Sequence, residues 1–346
     1  MSLPPSCVDL LAGRGGGLPV SRLGLGGVPL ANRFGRVDES EALDLIEAAY
    51  RSGITLYDVA PLYGHGAAEH RVGHVLRTKP RDSYVLATKV GYRLLPAPVE
   101  AVEKGGWAAT LPFDLVLDHS YDGTMRAVED SLQRLATGRL DIVHIHDVDH
   151  VTHGSRAAAE ALFGEAMRGS YRALHELRSQ GVIAAIGCGV KYAEWAERFL
   201  READIDTFML AGSYSLLVQD ALDTFFPLCT VRGVALTLGA VFHSGILATG
   251  ARAGARHDYR PADRDVLERV ARIERVCQRY GVPLAAAAIQ FPLAHPVVAS
   301  VVLGMVSKSE LEANLEHASW PIPDEFWEVL SAEGVIRGDA PVPAAA

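Results

Sequence analysis

The sequence predicts an α/β chain closed into a (β/α)8 TIM barrel, with an N-terminal β-hairpin and long loops on the C-terminal face. Three observations carry this. Eight short apolar segments alternate with stretches of helical periodicity along 346 residues. The apolar segments are near-continuous, the pattern of parallel strands buried on both faces. Eight such units, with no Pro- or Ser-rich linker between them, favour a closed barrel over an open doubly wound sheet and predict one domain over 1–346.

Taken in order, residues 7–22 carry two apolar runs around Gly15, Gly16 and Gly17, which predicts the hairpin; the first strand follows at 23–27. DESEALDLIEAAYRSG is a helix: Asp38 and Glu41 form a capping box, apolar positions recur at helical spacing, and Gly53 stops it. ITLYDVA is the second strand, AEHRVGHVLRT its helix, and SYVLATKVG the third strand. An insertion over about 92–119, read as a long loop, leaves that strand before the helix DGTMRAVEDSLQRLATG. RLDIVHIHDVD is the fourth strand, and a charged amphipathic helix over 155–180 ends at Gly181. VIAAIGCGV, TFMLAGSYS, GVALTLGAVF and SVVLGMV are strands five to eight. Helices lie in YAEWAERFLREA, around 221–229, in ADRDVLERVARIERVCQRYG and AAAAIQFPLAH, and in KSELEANLEHAS. Residues 338–346, ending APVPAAA, read as a flexible tail.

Composition narrows the function. The balance of 33 basic against 42 acidic residues gives −9, which disfavours nucleic acid and anionic membrane as partners. No apolar stretch approaches the roughly 20 residues that span a bilayer, and the N-terminus lacks the basic and apolar regions of a signal peptide. Cys7, Cys188, Cys229 and Cys277 form no CxxC pair and read as reduced, mostly buried thiols of a cytoplasmic protein. Cys188 reads as a small buried filler, and Trp195 with Phe199 as core packing. The implied partner is a small molecule.

Active groups of such barrels sit at the C-terminal ends of strands. Asp58 ends the second strand, Lys89 the third and His146 the fourth, and Tyr63 stands five residues beyond Asp58. A buried Asp and a buried Lys need partners, and each can serve the other. The pair leaves a cation beside a phenol placed over it, which is expected to lower the tyrosine pKa. Such a tyrosine donates a proton to a carbonyl or accepts one from an alcohol, with His146 orienting the oxygen.

These segments resemble the aldo-keto reductase superfamily over nearly the whole chain. GITLYDVAPLYGHGAAEHRVGHVL is similar to its motif with the catalytic Asp and Tyr, YVLATKVG to that with the Lys, and RLDIVHIHD to that with the His. The resemblance implies a catalytic tetrad of Asp58, Tyr63, Lys89 and His146. GGWAATLPF, DHSYDGTMRAVEDSLQRL, HIHDVDHVTHGSR, LAGSYSLL and GAVFHSGIL resemble the aldose dehydrogenase branch. That implies oxidation of an aldose of the D-threo or L-fucose type at C1 to the lactone; pyridoxal oxidation and general aldehyde reduction are the alternatives. The implied cofactor is NAD or NADP. Its adenosine phosphate end maps to Gly304, Met305, Ser307, Glu310 and Asn314, where a glycine loop opening into a helix also offers free N–H groups to an anion.

Two positions depart from the common pattern. Val190-Lys191 stands where many members carry Ser-Asn for the carboxamide, and Gly239 where many carry an aromatic against the nicotinamide, with Phe242 nearby. Ser213, Tyr214 and Gln219 are further candidates, Ser213 for the cofactor and Tyr214 for the substrate pocket, whose other walls are expected to be Trp107 and Phe242. NAD is expected over NADP: Glu310 occupies the position, four before Asn314, where many NADP-using members carry a basic residue, and a carboxylate would repel a 2′-phosphate. Lys308 offsets part of that repulsion. Two rival readings come from other classes. His144 and His146 share a strand face and with His243 could bind metal in a barrel hydrolase; or the chain could hold cofactor as a non-catalytic sensor, for which Tyr63 would be unnecessary.

Overall fold

The computed structural model describes residues 6–344. A short hairpin comes first, with β1 (Cys7–Asp9) antiparallel to β2 (Pro19–Ser21). The barrel begins with β3 (Leu23–Gly26), β4 (Leu56–Asp58) and β5 (Val85–Val90). Outside it, β6 (Tyr92–Pro96) and β7 (Phe113–Leu117) form an antiparallel ladder. The barrel continues through β8 (Leu140–His146), β9 (Ile183–Val190), β10 (Thr207–Ala211) and β11 (Leu236–Gly239). After an excursion holding the two-residue strands β12 (Arg256–His257) and β13 (Arg260–Pro261), β14 (Val298–Gly304) closes the ring against β3. The closed order β3-β4-β5-β8-β9-β10-β11-β14 is parallel throughout and is the (β/α)8 barrel the sequence predicts.

Two apolar layers hold it. Alternate strand residues such as Tyr57, Leu86, Val143, Ile145 and Ile186 face outward and pack under the helices. The others, Leu56, Val85, Ala87, Ile142, Ala185, Met209, Ala299 and Val302, fill the interior and meet Leu10, Leu11, Leu18 and Val20 of the hairpin. The hairpin is therefore a plug in the N-terminal end of the barrel. It leaves the opposite end as the place where polar side chains gather.

Helix ends follow their sequence signals. The Asp38 carboxylate accepts the N–H groups of Ser40 and Glu41 at 2.8 and 3.3 Å and starts the helix Glu39–Arg51. The long helix expected over 155–180 is interrupted: between Arg156–Ala166 and Arg172–Ser179 lies a π-helical turn, Met167–Tyr171. There the Ser170 N–H donates to the carbonyl of His119 at 3.0 Å, and a Cβ on Gly169 would meet that oxygen at 2.1 Å.

Two expectations change. The 92–119 insertion is not an unstructured loop, since β6 and β7 pair through five residues on each side, Tyr92 opposite Leu117 and Pro96 opposite Phe113. The tail is anchored further than its composition suggests, because Ile336 and Ala340 are buried; residues 345–346 of the expected flexible segment lie outside the described residues.

Candidate active site

The inward register continues past the apolar layers. Two residues on from Leu56 stands Asp58, two on from Ala87 stands Lys89, and from Ile142 the same face carries His144 and then His146. Strand pairing sets Asp58 beside Ala87, Lys89 beside His144, and His146 beside Gly189. Glycine matters there: His144 lies so close that a Cβ on Gly187 would meet its Nδ1 at 2.1 Å.

Lys89 is buried with its charge matched. Its Nζ donates to Asp58 Oδ1 at 2.5 Å and to the Val59 carbonyl at 2.9 Å. An ammonium has three donors, so one remains. Tyr63 lies above, its ring centroid 4.9 Å from Nζ. It sits edge-on to the His146 ring at 5.9 Å and tilted to Trp107 at 6.1 Å, and Tyr92 also packs edge-on to His146 at 6.0 Å. Beneath, His144 Nε2 stands 4.0 Å from Asp58 Oδ2.

The electrostatics correct one expectation. Tyr63 titrates well above the ordinary phenol range, because burial and the charges of Asp58, Asp147 and Tyr259 all penalise the phenolate. The lowering expected from Lys89 does not prevail: that cation is paired with Asp58, and burial outweighs it. Burial raises the Asp58 carboxyl, against the pull of Lys89. His146 is pushed well below the usual imidazole range by burial and by Lys89 and Lys191, so it is neutral near pH 7. The site at rest is thus a protonated phenol, a neutral imidazole and an engaged lysine, the protonation suited to proton donation toward a carbonyl.

A cavity of about 580 Å³ runs from Asp58, Tyr63, Lys89 and His146 past Gly239 and Gly245 to Gly304 and Glu310. Trp107 and Phe242 border it, and so does Lys191 of the departing pair. Other expected residues stand behind it. Met305 and Asn314 are buried outside the lining. Ser307 caps the helix Lys308–Ala318, accepting the Glu310 N–H at 3.2 Å. The Ser213 hydroxyl donates to the Lys191 carbonyl at 2.5 Å, and the Gln219 amide to the Ser215 carbonyl at 2.8 Å. Tyr214 is not a pocket wall: it is buried among Phe226, Phe291 and His295, because β10 ends at Ala211 and the chain turns away through Gly212 at φ 97°.

Sequence reasoning missed the far rim. Arg33 lies over both Trp107 and Tyr259, 5.2 and 4.9 Å from their ring centroids, and Phe34 stacks on Tyr259 at 6.0 Å. No periodicity marks such loop residues. Asp147 also lines the cavity, signalled only by its place after His146. Among the described residues, the three groups whose ligand atoms come within 4.8 Å of one another are His243, His257 and Asp258, which include neither His144 nor His146. His243 Nε2 instead shares a 2.7 Å hydrogen bond with the Ser215 hydroxyl.

A parallel barrel with a buried lysine–aspartate pair under a tyrosine defines a class, and comparison with known proteins agrees. Residues 22–332 match the model of the Aldo/keto reductase family, and the chain belongs to that family of oxidoreductases. It is 42% identical to pyridoxal 4-dehydrogenase of Microbacterium luteolum over 331 residues, covering 92% of this chain and 96% of that protein. It is 36% identical to D-threo-aldose 1-dehydrogenase of a Pseudomonas species, with coverage of 92% and 96%. Among solved structures, an aldo-keto reductase from Bacillus halodurans in its holo form superposes with a TM-score of 0.72 at 25% identity, over 97% of this chain and 98% of that one.

Proposed function

We propose that this enzyme is an NAD-dependent dehydrogenase that oxidises a cyclic hemiacetal to a lactone, an aldose at C1 in the first reading. The supporting observation is the Lys89–Asp58 contact of 2.5 Å beneath Tyr63, facing His146 across one cavity. A second reading, pyridoxal in its internal hemiacetal form, is favoured by the greater identity to pyridoxal 4-dehydrogenase and by the aromatic wall of Trp107, Tyr63 and Tyr259. In either case Tyr63 takes the hydroxyl proton of the hemiacetal, His146 hydrogen-bonds its oxygen, and Lys89 steadies the phenolate through its remaining N–H. Asp58 holds Lys89 in place.

The residues fit a dinucleotide. The cavity is continuous between the tetrad and the N-terminus of the helix Lys308–Ala318, and a Cβ on Gly245 would meet no atom within 4 Å, so that backbone borders open space. Lys191, Gly239 and Phe242 would hold the nicotinamide end, and Gly304 and Glu310 the adenosine end. When bound, the nicotinamide accepts the hydride. Glu310 uses Oε2 to accept the Val306 N–H at 2.8 Å, which keeps its carboxylate at the cavity wall. Lys308 pairs with Asp44 at 2.8 Å on the outer helix, so it offers little to a 2′-phosphate.

Turnover of aldoses and pyridoxal with each cofactor tests this. Wild type is expected to prefer NAD over NADP by at least about tenfold in kcat/KM, roughly 1.4 kcal/mol. Glu310→Gln, which keeps an acceptor for Val306, narrows the preference, and Glu310→Arg narrows it further or reverses it. Equal use of both cofactors by wild type removes Glu310 from the ribose, and inactivity on every hemiacetal removes the dehydrogenase reading.

A further inference from the structure

Asp147 stands in a left-handed conformation directly after the end of β8. Its φ is 52°, in the left-handed region that a non-glycine residue pays to enter. Three contacts lock it there. Its N–H donates to the Gly189 carbonyl at 2.9 Å, and its carbonyl accepts from the Asp149 N–H at 3.0 Å and from His153 Nε2 at 2.8 Å. The Asp149 carboxylate in turn accepts the N–H groups of Val151 and Thr152, so the turn behind Asp147 is braced.

What the brace presents is a carboxylate facing the reacting end of the cavity. The side chain keeps only 16% of its surface exposed and borders the same space as Tyr63, Lys89 and His146. Among the described residues it accepts no hydrogen bond. His146 Nε2 stands 3.6 Å from Oδ2, beyond hydrogen-bond length, and Lys191 makes no ion pair with it within 4.0 Å. A carboxylate can accept about four hydrogen bonds, and no group among the described residues takes any of these, so they are open to whatever fills the cavity. A left-handed backbone and a carboxylate without a hydrogen bond from the described residues coincide one residue from His146.

Resting on the hemiacetal reading above, we propose that Asp147 accepts a hydrogen bond from the substrate hydroxyl on the carbon adjacent to the reacting carbon. In an aldose that donor is the 2-hydroxyl; pyridoxal has no hydroxyl on the ring carbon next to its aldehyde carbon, its phenolic hydroxyl standing one carbon further away. Plain aldehydes lack the donor as well. Asp147 is thus a specificity residue, selecting hydroxylated hemiacetals by leaving an unpaired charge when the donor is missing.

The test pairs the substrate change with the residue change. Oxidation of an accepted aldose and of its 2-deoxy analogue is measured with wild type, Asp147→Ala and Asp147→Asn, alongside NADH binding by fluorescence. In wild type, loss of the hydroxyl should cut kcat/KM at least about 30-fold, in the range for a site built around a hydroxyl. In Asp147→Ala the parent should fall comparably while the deoxy penalty shrinks to within about 3-fold, Asp147→Asn lies between, and NADH affinity stays within about 3-fold. A deoxy penalty that survives in Asp147→Ala overturns the proposal, as does a wild type indifferent to the hydroxyl; both leave the dehydrogenase reading standing. A variant that no longer binds NADH would mean the brace, not the carboxylate, is what matters, and also overturns it. Wild type inactive on every parent hemiacetal overturns both readings together.

Discussion

Tyr63 and Lys89 carry opposite demands. Oxidation needs the phenolate, yet burial and neighbouring carboxylates hold the phenol protonated well above pH 10. The base form is therefore scarce at neutral pH and grows about tenfold per pH unit below its pKa. Oxidation, where chemistry limits the rate, should rise with pH without levelling below about pH 9, while aldehyde reduction, served by the protonated phenol, should stay nearly flat. Tyr63→Phe should abolish both, by at least about 10²-fold in kcat, and leave cofactor affinity within a few-fold. Lys89→Met should lower oxidation at every pH and carry its alkaline rise to higher pH. Stopped-flow hydride transfer across pH would settle the matter, and a pH-independent oxidation step would remove Tyr63 as the base.

At the scale of elements, the insertion between β5 and the helix Tyr121–Leu135 is a wall built on a ladder. β6 and β7 give it a rigid stem, and Trp107 at its far side is only 8% exposed, fixed by Tyr63 and Arg33. His119 at its end packs under Gly91 and binds the Ser170 hydroxyl at 3.0 Å through Nδ1, where the π-helical turn accommodates it. Trp107→Ala should raise the KM of accepted hemiacetals about tenfold, about 1.4 kcal/mol, with NAD affinity within about twofold. Unchanged kcat and KM would make the hairpin scaffold only.

For the whole molecule, closure has an electrostatic consequence. The interior buries histidines in their neutral form: His119 is pushed down to about 4, and burial also lowers His144 and His146. An unfolded histidine takes up its proton near pH 6.5, while folded His119 resists until about pH 4. Its contribution is therefore full above pH 6.5 and is lost as pH falls through that window, on the order of 3 kcal/mol for this residue. Urea midpoints should drop between pH 7 and pH 4.5. His119→Asn should make that drop shallower, and identical slopes in variant and wild type would contradict the assignment.

Much of this was legible in the chain itself. Eight near-continuous apolar strands alternating with helices point to the barrel, since parallel strands buried on both faces satisfy them. The period of two along each strand then carries Asp58, Lys89 and His146 inward at the open end, because the same register puts Leu56, Ala87 and Ile142 in the interior. Loop-borne groups were decided elsewhere. Tyr214 was expected at the pocket and is packed behind it, Glu310 shares its carboxylate with Val306, and Arg33 meets Tyr259 across more than two hundred residues of chain. Asp147 faces the cavity only because a left-handed backbone, braced by Gly189, Asp149 and His153, turns it there. A strand dictates side-chain direction through its own repeat. A loop has no repeat, so its directions come from contacts that exist only once the barrel has closed.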